Sequence, residues 1–266
     1  MAMGDIRVSL ILKNVEGALG VITLNNAEKR NSLSAALILE FCNALDEFEA
    51  LGVRVVILRA QPGAKVWSAG YDVNELPHPG RDPLAYAAPF GRLLRRVQRF
   101  SGPVIAMIEG SVWGGACDLA LTCDILIGSE TASFAITPAK IGVPYAASGM
   151  IHFINVLGLN KAKEMFFTAT PITANEALTA GILNHLVPIA DLERFTHELA
   201  SKILENAPLA VKAFKRQFAL LSKGATIDAE TAERIQGYRR IVYDSEDYAE
   251  GIRAFQEKRS PRFKGK

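Results

Sequence analysis

The sequence predicts an α/β fold. Three observations carry this: short apolar runs of strand length alternate with stretches of helical periodicity, two glycine-containing loops follow two of those runs, and the chain from Leu192 onward reads as successive helices. Strands alternating with helices imply parallel strands joined by crossovers. With 266 residues, 49% of them apolar, the chain can bury a substantial core, as one large domain or as a core with a small appendage.

The first elements are two strands, Ile6 to Leu12 and Leu19 to Leu24, joined through Asn14 to Gly17 in a hairpin-like connection. A helix follows, N-capped by Ser34. Leu37, Ile38, Phe41, Cys42, Leu45, Phe48 and Leu51 recur at three- and four-residue spacing until Gly52 stops the pattern. Val53 to Ala60 is a buried strand that feeds the first glycine loop. Leu76 to Pro89, rich in Pro, Gly and Asp, reads as a surface loop over a site. Then come a helix from Phe90 to Arg99, a strand from Val104 to Ile108, the second glycine loop, a helix from Gly115 to Leu121 and a strand from Asp124 to Gly128. From about Lys161 the pattern turns to consecutive helices, with one short strand at Leu183 to Val187. The last helical periods are Leu192 to Leu204, Leu209 to Leu221, Asp228 to Tyr243 and Glu246 to Lys258. Ser245 caps the last of these, and Glu246 and Asp247 suit the positive end of its dipole.

Composition excludes several classes of function. No stretch reaches the roughly 18 consecutive apolar residues needed to span a bilayer, and Met1 to Lys13 lacks the apolar segment of a secretory signal, so the expected location is the cytoplasm. The 30 basic and 28 acidic residues are interspersed, with no basic, aromatic-interleaved stripe for nucleic acid. Two local cationic clusters, Lys29-Arg30 and the tail from Lys258 to Lys266, read either as solvated surface or as contacts for a ligand phosphate. Cys42, Cys117 and Cys123 are odd in number and lack CxxC spacing, which argues against a disulfide framework or a zinc site. The dinucleotide, P-loop and nucleophile-elbow signatures are absent. His78, His152, His185 and His197 form no HExxH pattern and read as surface or packed residues.

The chemistry-bearing feature is the pair of loops, Trp67-Ser-Ala-Gly-Tyr-Asp72 and Glu109-Gly-Ser-Val-Trp-Gly-Gly-Ala116. Each follows an apolar strand and precedes a candidate helix, so each can point a backbone N–H into one cleft, and two convergent amides can hold an enolate oxygen. Either loop alone reads more readily as a turn or a close helix–strand contact. In order and spacing the pair resembles the crotonase (enoyl-CoA hydratase/isomerase) superfamily, whose members bind acyl-CoA thioesters.

That resemblance implies a crotonase-like ββα spiral core over residues 1–200, a C-terminal helical oligomerisation layer over 201–266, and a homotrimer or homohexamer. It makes the amides of Tyr71 and Gly115 the two donors. It places CoA across Ala69, Gly70, Tyr71, Asp72 and Val73, with Lys29, Arg30 and Lys258 near the phosphates. Hydratases of the superfamily use two glutamates. Here the first position falls on Asp118 and the second on Pro138, which cannot transfer a proton.

A narrower resemblance, to the branch that decarboxylates (methyl)malonyl-CoA, covers nearly the whole chain. It rests on Ser68 to Asp72, Glu75 to Pro77, Gly80 to Pro83, Gly110 to Gly115, Thr137-Pro138, Gly142 to Tyr145, Pro171 to Ala174, Gly181 to His185 and Val242 to Tyr248. It implies loss of CO2 without metal, biotin or other cofactor, with Thr137 and Tyr145 orienting the carboxylate. Tyr145 also reads as a turn aromatic capping the core. One departure stands out: where that branch carries a histidine between Gly70 and Asp72, this chain has Tyr71. The alternatives are an enoyl-CoA hydratase or isomerase using Asp118, and a non-catalytic acyl-CoA- or RNA-binding relative.

Overall fold

A computed structural model of the chain describes residues 9–76, 88–206, 208–221, 244–259 and 261–262. Most of the loop expected from Leu76 to Pro89, the helix expected from Asp228 to Tyr243 and the start of the strand expected from Ile6 fall outside them. Two sheets carry the architecture. The larger has the order β1-β2-β3-β5-β7-β10, built from β1 (Ile11–Glu16), β2 (Leu19–Leu24), β3 (Val55–Ala60), β5 (Val104–Ile108), β7 (Ile125–Ser129) and β10 (His185–Val187). The smaller has the order β4-β6-β8-β9, from β4 (Val66–Ser68), β6 (Ser111–Trp113), β8 (Ser133–Ala135) and β9 (Ile172–Thr173).

The hairpin is present, but its first strand begins at Ile11 and runs through Glu16, which pairs with Leu19 and leaves Gly17 and Ala18 as the turn. The expected connection at Asn14 to Gly17 is therefore mostly strand: Val15 and Asn14 pair across the ladder while their side chains stay exposed, so no hydrophobic alternation marks them. From β2 onward every ladder of the larger sheet is parallel, as the alternation of strands and helices implies.

β3 is buried along its whole length because both faces of the sheet are covered. Val56 and Leu58 face the large core shared with α1 (Ala35–Ala50), whereas Val55 and Ile57 face a second cluster with Leu192 and Ala200 of α6 (Ile189–Leu204). The Ser34 side chain accepts the Leu37 N–H, as its position before the helical period requires. The other helices are α2 (Pro89–Arg99), α3 (Gly115–Thr122), α4 (Ala147–Thr168, kinked at Gly158), α5 (Ala174–Thr179), α7 (Pro208–Leu221) and α8 (Glu246–Gln256).

Charge ties α7 to the body of the protein and braces the end of α8 internally. Lys215 of α7 is buried, and its ammonium donates to the Val97 and Gly102 carbonyls and to Asp124 Oδ2 at 3.2, 2.9 and 2.8 Å. In α8, Glu250 accepts from Arg253, Arg259 and the Arg262 N–H, and the Arg259 guanidinium before all else holds its carboxyl well below the usual carboxylate range. Gly251 presses on the Ile141 carbonyl, where any Cβ would collide, so α8 backs the short 3₁₀ turn Pro138–Ile141. Among the described residues no helix is long and apolar enough to cross a membrane.

Candidate active site

The smaller sheet explains why the two glycine loops meet. β4, β6 and β8 are parallel neighbours, and the segments leaving their carboxyl ends are Ala69-Gly70-Tyr71, Gly114-Gly115 and Ile136-Thr137. Three pieces of chain far apart in sequence therefore emerge side by side. The glycine loops do not leave β3 and β5 directly, as the apolar runs suggest; β4 and β6 intervene. Nor does an α-helix directly follow the first loop. Asp72 caps a 3₁₀ turn, Val73–Glu75, through Oδ1 and the Asn74 N–H at 3.1 Å.

Gly70 and Gly114 make the approach possible. Gly70 has φ +85°, and a Cβ on it would strike the Trp113 carbonyl and lie 3.0 Å from the Gly115 nitrogen. Gly114 has φ 52° and ψ −121°, a conformation that side chains exclude, and it turns the chain into the N-terminus of α3. From Gly115, the site of a Cβ would be 3.4 Å from the Tyr71 nitrogen. The two amides are thus neighbours.

Four N–H groups beside them are spent on the fold. The Ala69 N–H goes to the Arg30 carbonyl, Gly70 to Ser68 Oγ, Asp72 to the Leu33 carbonyl and Gly114 to the Ala135 carbonyl. Among the described residues, the Tyr71 and Gly115 N–H groups have no acceptor. Two unspent donors side by side in one cleft are an arrangement that can receive a negatively charged oxygen. The first turn of α3 adds the positive end of its dipole.

Around these amides lies a largely apolar pocket with walls from Val73, Phe90, Pro138, Ile141 and Val143. Thr137, Tyr145, Asp118, Tyr71, Gly115 and Ala69 also line it, so with Val73 seven of the site residues singled out from the sequence converge here. Thr137 precedes the Pro138–Ile141 turn without capping it, which leaves its hydroxyl uncommitted to the backbone. Tyr145 packs as the core-capping aromatic, its ring meeting Phe153 and Phe166 edge-on at 6.0 and 5.0 Å, and its hydroxyl, at the pocket, donates to the Gly114 carbonyl at 3.4 Å. Burial, and then the Asp118 charge, push its phenol well above the ordinary value. The Tyr71 phenol is also raised, by burial first and then by Glu75 and Asp72. Both hydroxyls therefore stay protonated at neutral pH and act as donors.

Lys29, Arg30 and Lys258 do not line this pocket. Arg30 touches the first loop through its carbonyl, and Lys258 is exposed just beyond α8. Trp113 lies outside the lining and donates from Nε1 to Ser111 Oγ at 2.8 Å, a packing role. Pro138 does occupy the pocket wall, so among the described lining residues Asp118 is the single carboxylate.

The sequence reading missed the partner of that carboxylate. Asp118 is 1% exposed, and His152 Nδ1 on α4 lies 2.9 Å from its Oδ1. No local pattern links two residues on different helices, so no sequence signal was there to find. Phe90 is missed in the same way: it reads as a core position of α2, yet its ring lies over Gly115 and meets Tyr71 edge-on at 6.1 Å.

The sequence profile of the enoyl-CoA hydratase/isomerase family matches residues 14–266. The chain belongs to that family, the crotonase superfamily. Within it, methylmalonyl-CoA decarboxylase of Escherichia coli (strain K12) is 46% identical over 245 residues, covering 92% of this chain and 94% of that protein. The solved structure of a methylmalonyl-CoA decarboxylase in complex with 2-nitronate-propionyl-CoA matches with a TM-score of 0.94 at 44% identity, covering 97% of this chain and 99% of that one. A methylmalonyl-CoA decarboxylase complexed with 2S-carboxypropyl CoA gives the same values. This chain is a homologue of that carboxy-lyase.

Proposed function

We propose that this protein removes CO2 from methylmalonyl-CoA or malonyl-CoA, giving propionyl-CoA or acetyl-CoA, through a thioester enolate held by the Tyr71 and Gly115 N–H groups. The observation that carries the reading is the pair of unspent amides beside a pocket with one carboxylate where a hydratase needs two. Charge builds on the thioester oxygen as the C–C bond breaks, and two fixed donors in an apolar site meet it without reorganising. The departing carboxylate must stand perpendicular to the thioester plane so that its bond overlaps the π system. Thr137 and Tyr145 are assigned to hold it there by hydrogen bonds, and the apolar walls disfavour the charged carboxylate relative to neutral CO2.

The CoA moiety is assigned to the first loop, Ala69 to Val73, with Lys29, Arg30 and Lys258 serving its phosphates. Replacing these three cations by neutral residues is expected to weaken CoA binding, more at low salt than at high, as calorimetry at two ionic strengths would register. Unchanged affinity would remove them from the site. The helices after residue 200 are assigned to the contacts of a homotrimer or homohexamer, which sedimentation would test.

The deciding assay supplies methylmalonyl-CoA, malonyl-CoA and crotonyl-CoA separately. CO2 release from the first two with slow hydration of the third is the expected result; rapid hydration without CO2 release would make the protein a hydratase. The Tyr71 side chain is expected to be dispensable, since the role assigned to that position is carried by its backbone. Tyr71→Phe keeps the ring against Phe90 and is expected to retain kcat within about threefold. A hundredfold loss with unchanged CoA affinity would assign the phenol a part in the chemistry.

A further inference from the structure

Decarboxylation consumes a proton that the amides cannot supply. When CO2 leaves, the electrons of the broken C–C bond become the enolate, and one proton must then reach its α-carbon. The pocket lining is poor in sources. The phenols of Tyr71 and Tyr145 are held above their ordinary range, and the Thr137 alcohol is a weaker acid still. Asp118 is the one carboxyl group among the described lining residues, and at 1% exposure it has little direct contact with water.

His152 bridges that gap. Its Nδ1 lies 2.9 Å from Asp118 Oδ1, its side chain is 22% exposed, and its Nε2 lies 3.2 Å from the amide nitrogen of Gln98, an exposed residue on α2. The imidazole thus has one nitrogen on the buried carboxylate and the other toward the surface. Imidazole is the side chain best suited to take up and release a proton near neutrality. The Gln98 amide can face Nε2 with either end, accepting from a protonated ring or donating to a neutral one.

We propose that His152 is the proton inlet of this site, feeding Asp118, which protonates the enolate carbon; this rests on the decarboxylase reading for the source of the enolate. A proton from solvent enters at His152 Nε2. The imidazolium passes its Nδ1 proton to Asp118, and the Asp118 O–H proton goes to the α-carbon. The enolate π electrons form the new C–H bond as the oxyanion returns to a thioester carbonyl. Asp118 is left as a carboxylate, and the imidazole regains its Nδ1–H tautomer by exchange with solvent. One proton is consumed for each CO2 released.

The reverse of the last transfer is measurable without decarboxylation. Propionyl-CoA incubated with the protein in D2O should acquire deuterium at its α-carbon, read by mass spectrometry. His152→Asn places a side-chain N–H where Nδ1–H stood but cannot relay a proton, so it should keep the thermal melt and CoA affinity while slowing exchange by about 100-fold. Should that variant fail to fold, His152→Ala with added free imidazole gives the same reading, with exchange restored by the imidazole. Wild-type exchange by His152→Asn, or no exchange by the unaltered protein, would overturn the relay. Exchange that depends on His152 in a protein that releases no CO2 from methylmalonyl-CoA would uphold the relay and refute only the decarboxylase reading.

Discussion

Gly115→Pro is expected to cost this protein two to three orders of magnitude in kcat/KM for decarboxylation, because it deletes one of the two amides that receive the enolate oxygen. Loss of a single oxyanion donor typically costs about 3–4 kcal/mol. The position makes the test unusually clean. Gly115 is the first residue of α3, where the N–H has no intrahelical partner and proline's fixed φ suits the helix. The space is nearly available as well: the nearest atom to a Cβ there is the Phe90 ring carbon at 3.3 Å, the end of a side chain that can give way. The fold should therefore persist, which circular dichroism and CoA binding would verify, while turnover collapses. Decarboxylation within tenfold of the unaltered protein would remove the Gly115 amide from the mechanism.

Gly70→Ala is expected to do comparable damage by a different route. Its Cβ has no room: it would meet the Trp113 carbonyl and approach the Gly115 nitrogen to 3.0 Å, both of them backbone, and φ +85° strains any side chain. The loops must then move apart, spreading the Tyr71 and Gly115 donors, and misplacement by about 1 Å is enough to cost on the order of a hundredfold in rate. Unlike Gly115→Pro, this change should also lower stability, by about 1–3 kcal/mol for the strained backbone. Urea unfolding alongside steady-state kinetics separates the two effects. Normal turnover in Gly70→Ala would show that the spacing of the loops does not matter.

The main elements were legible because their signals are local. The Ser34 cap, the helical period up to Leu51 and the buried runs at β3 and β5 all depend on residues close in sequence. The smaller sheet was not legible: β4, β6 and β8 are three residues each, too short to show periodicity, and their pairing joins distant segments. That sheet is what sets the glycine loops side by side, so the residues of the site could be named while the reason for their convergence could not. The long α4 was hidden for a related reason. It bends at Gly158, and apart from Gly149, Phe153, Ala162 and Met165 few of its positions are buried, so no clean apolar stripe marks its first half. His152 lies in that half, which is why it reads as an ordinary polar position.

The most direct measurement of the central claim is the infrared carbonyl stretch of propionyl-CoA, labelled with 13C at the thioester carbon and bound to the protein. Two hydrogen bonds from the Tyr71 and Gly115 amides polarise that carbonyl. The stretch is therefore expected at lower frequency than in water, with much of the shift lost in Gly115→Pro. A bound thioester whose stretch matches that in water, or is the same in both proteins, would contradict it.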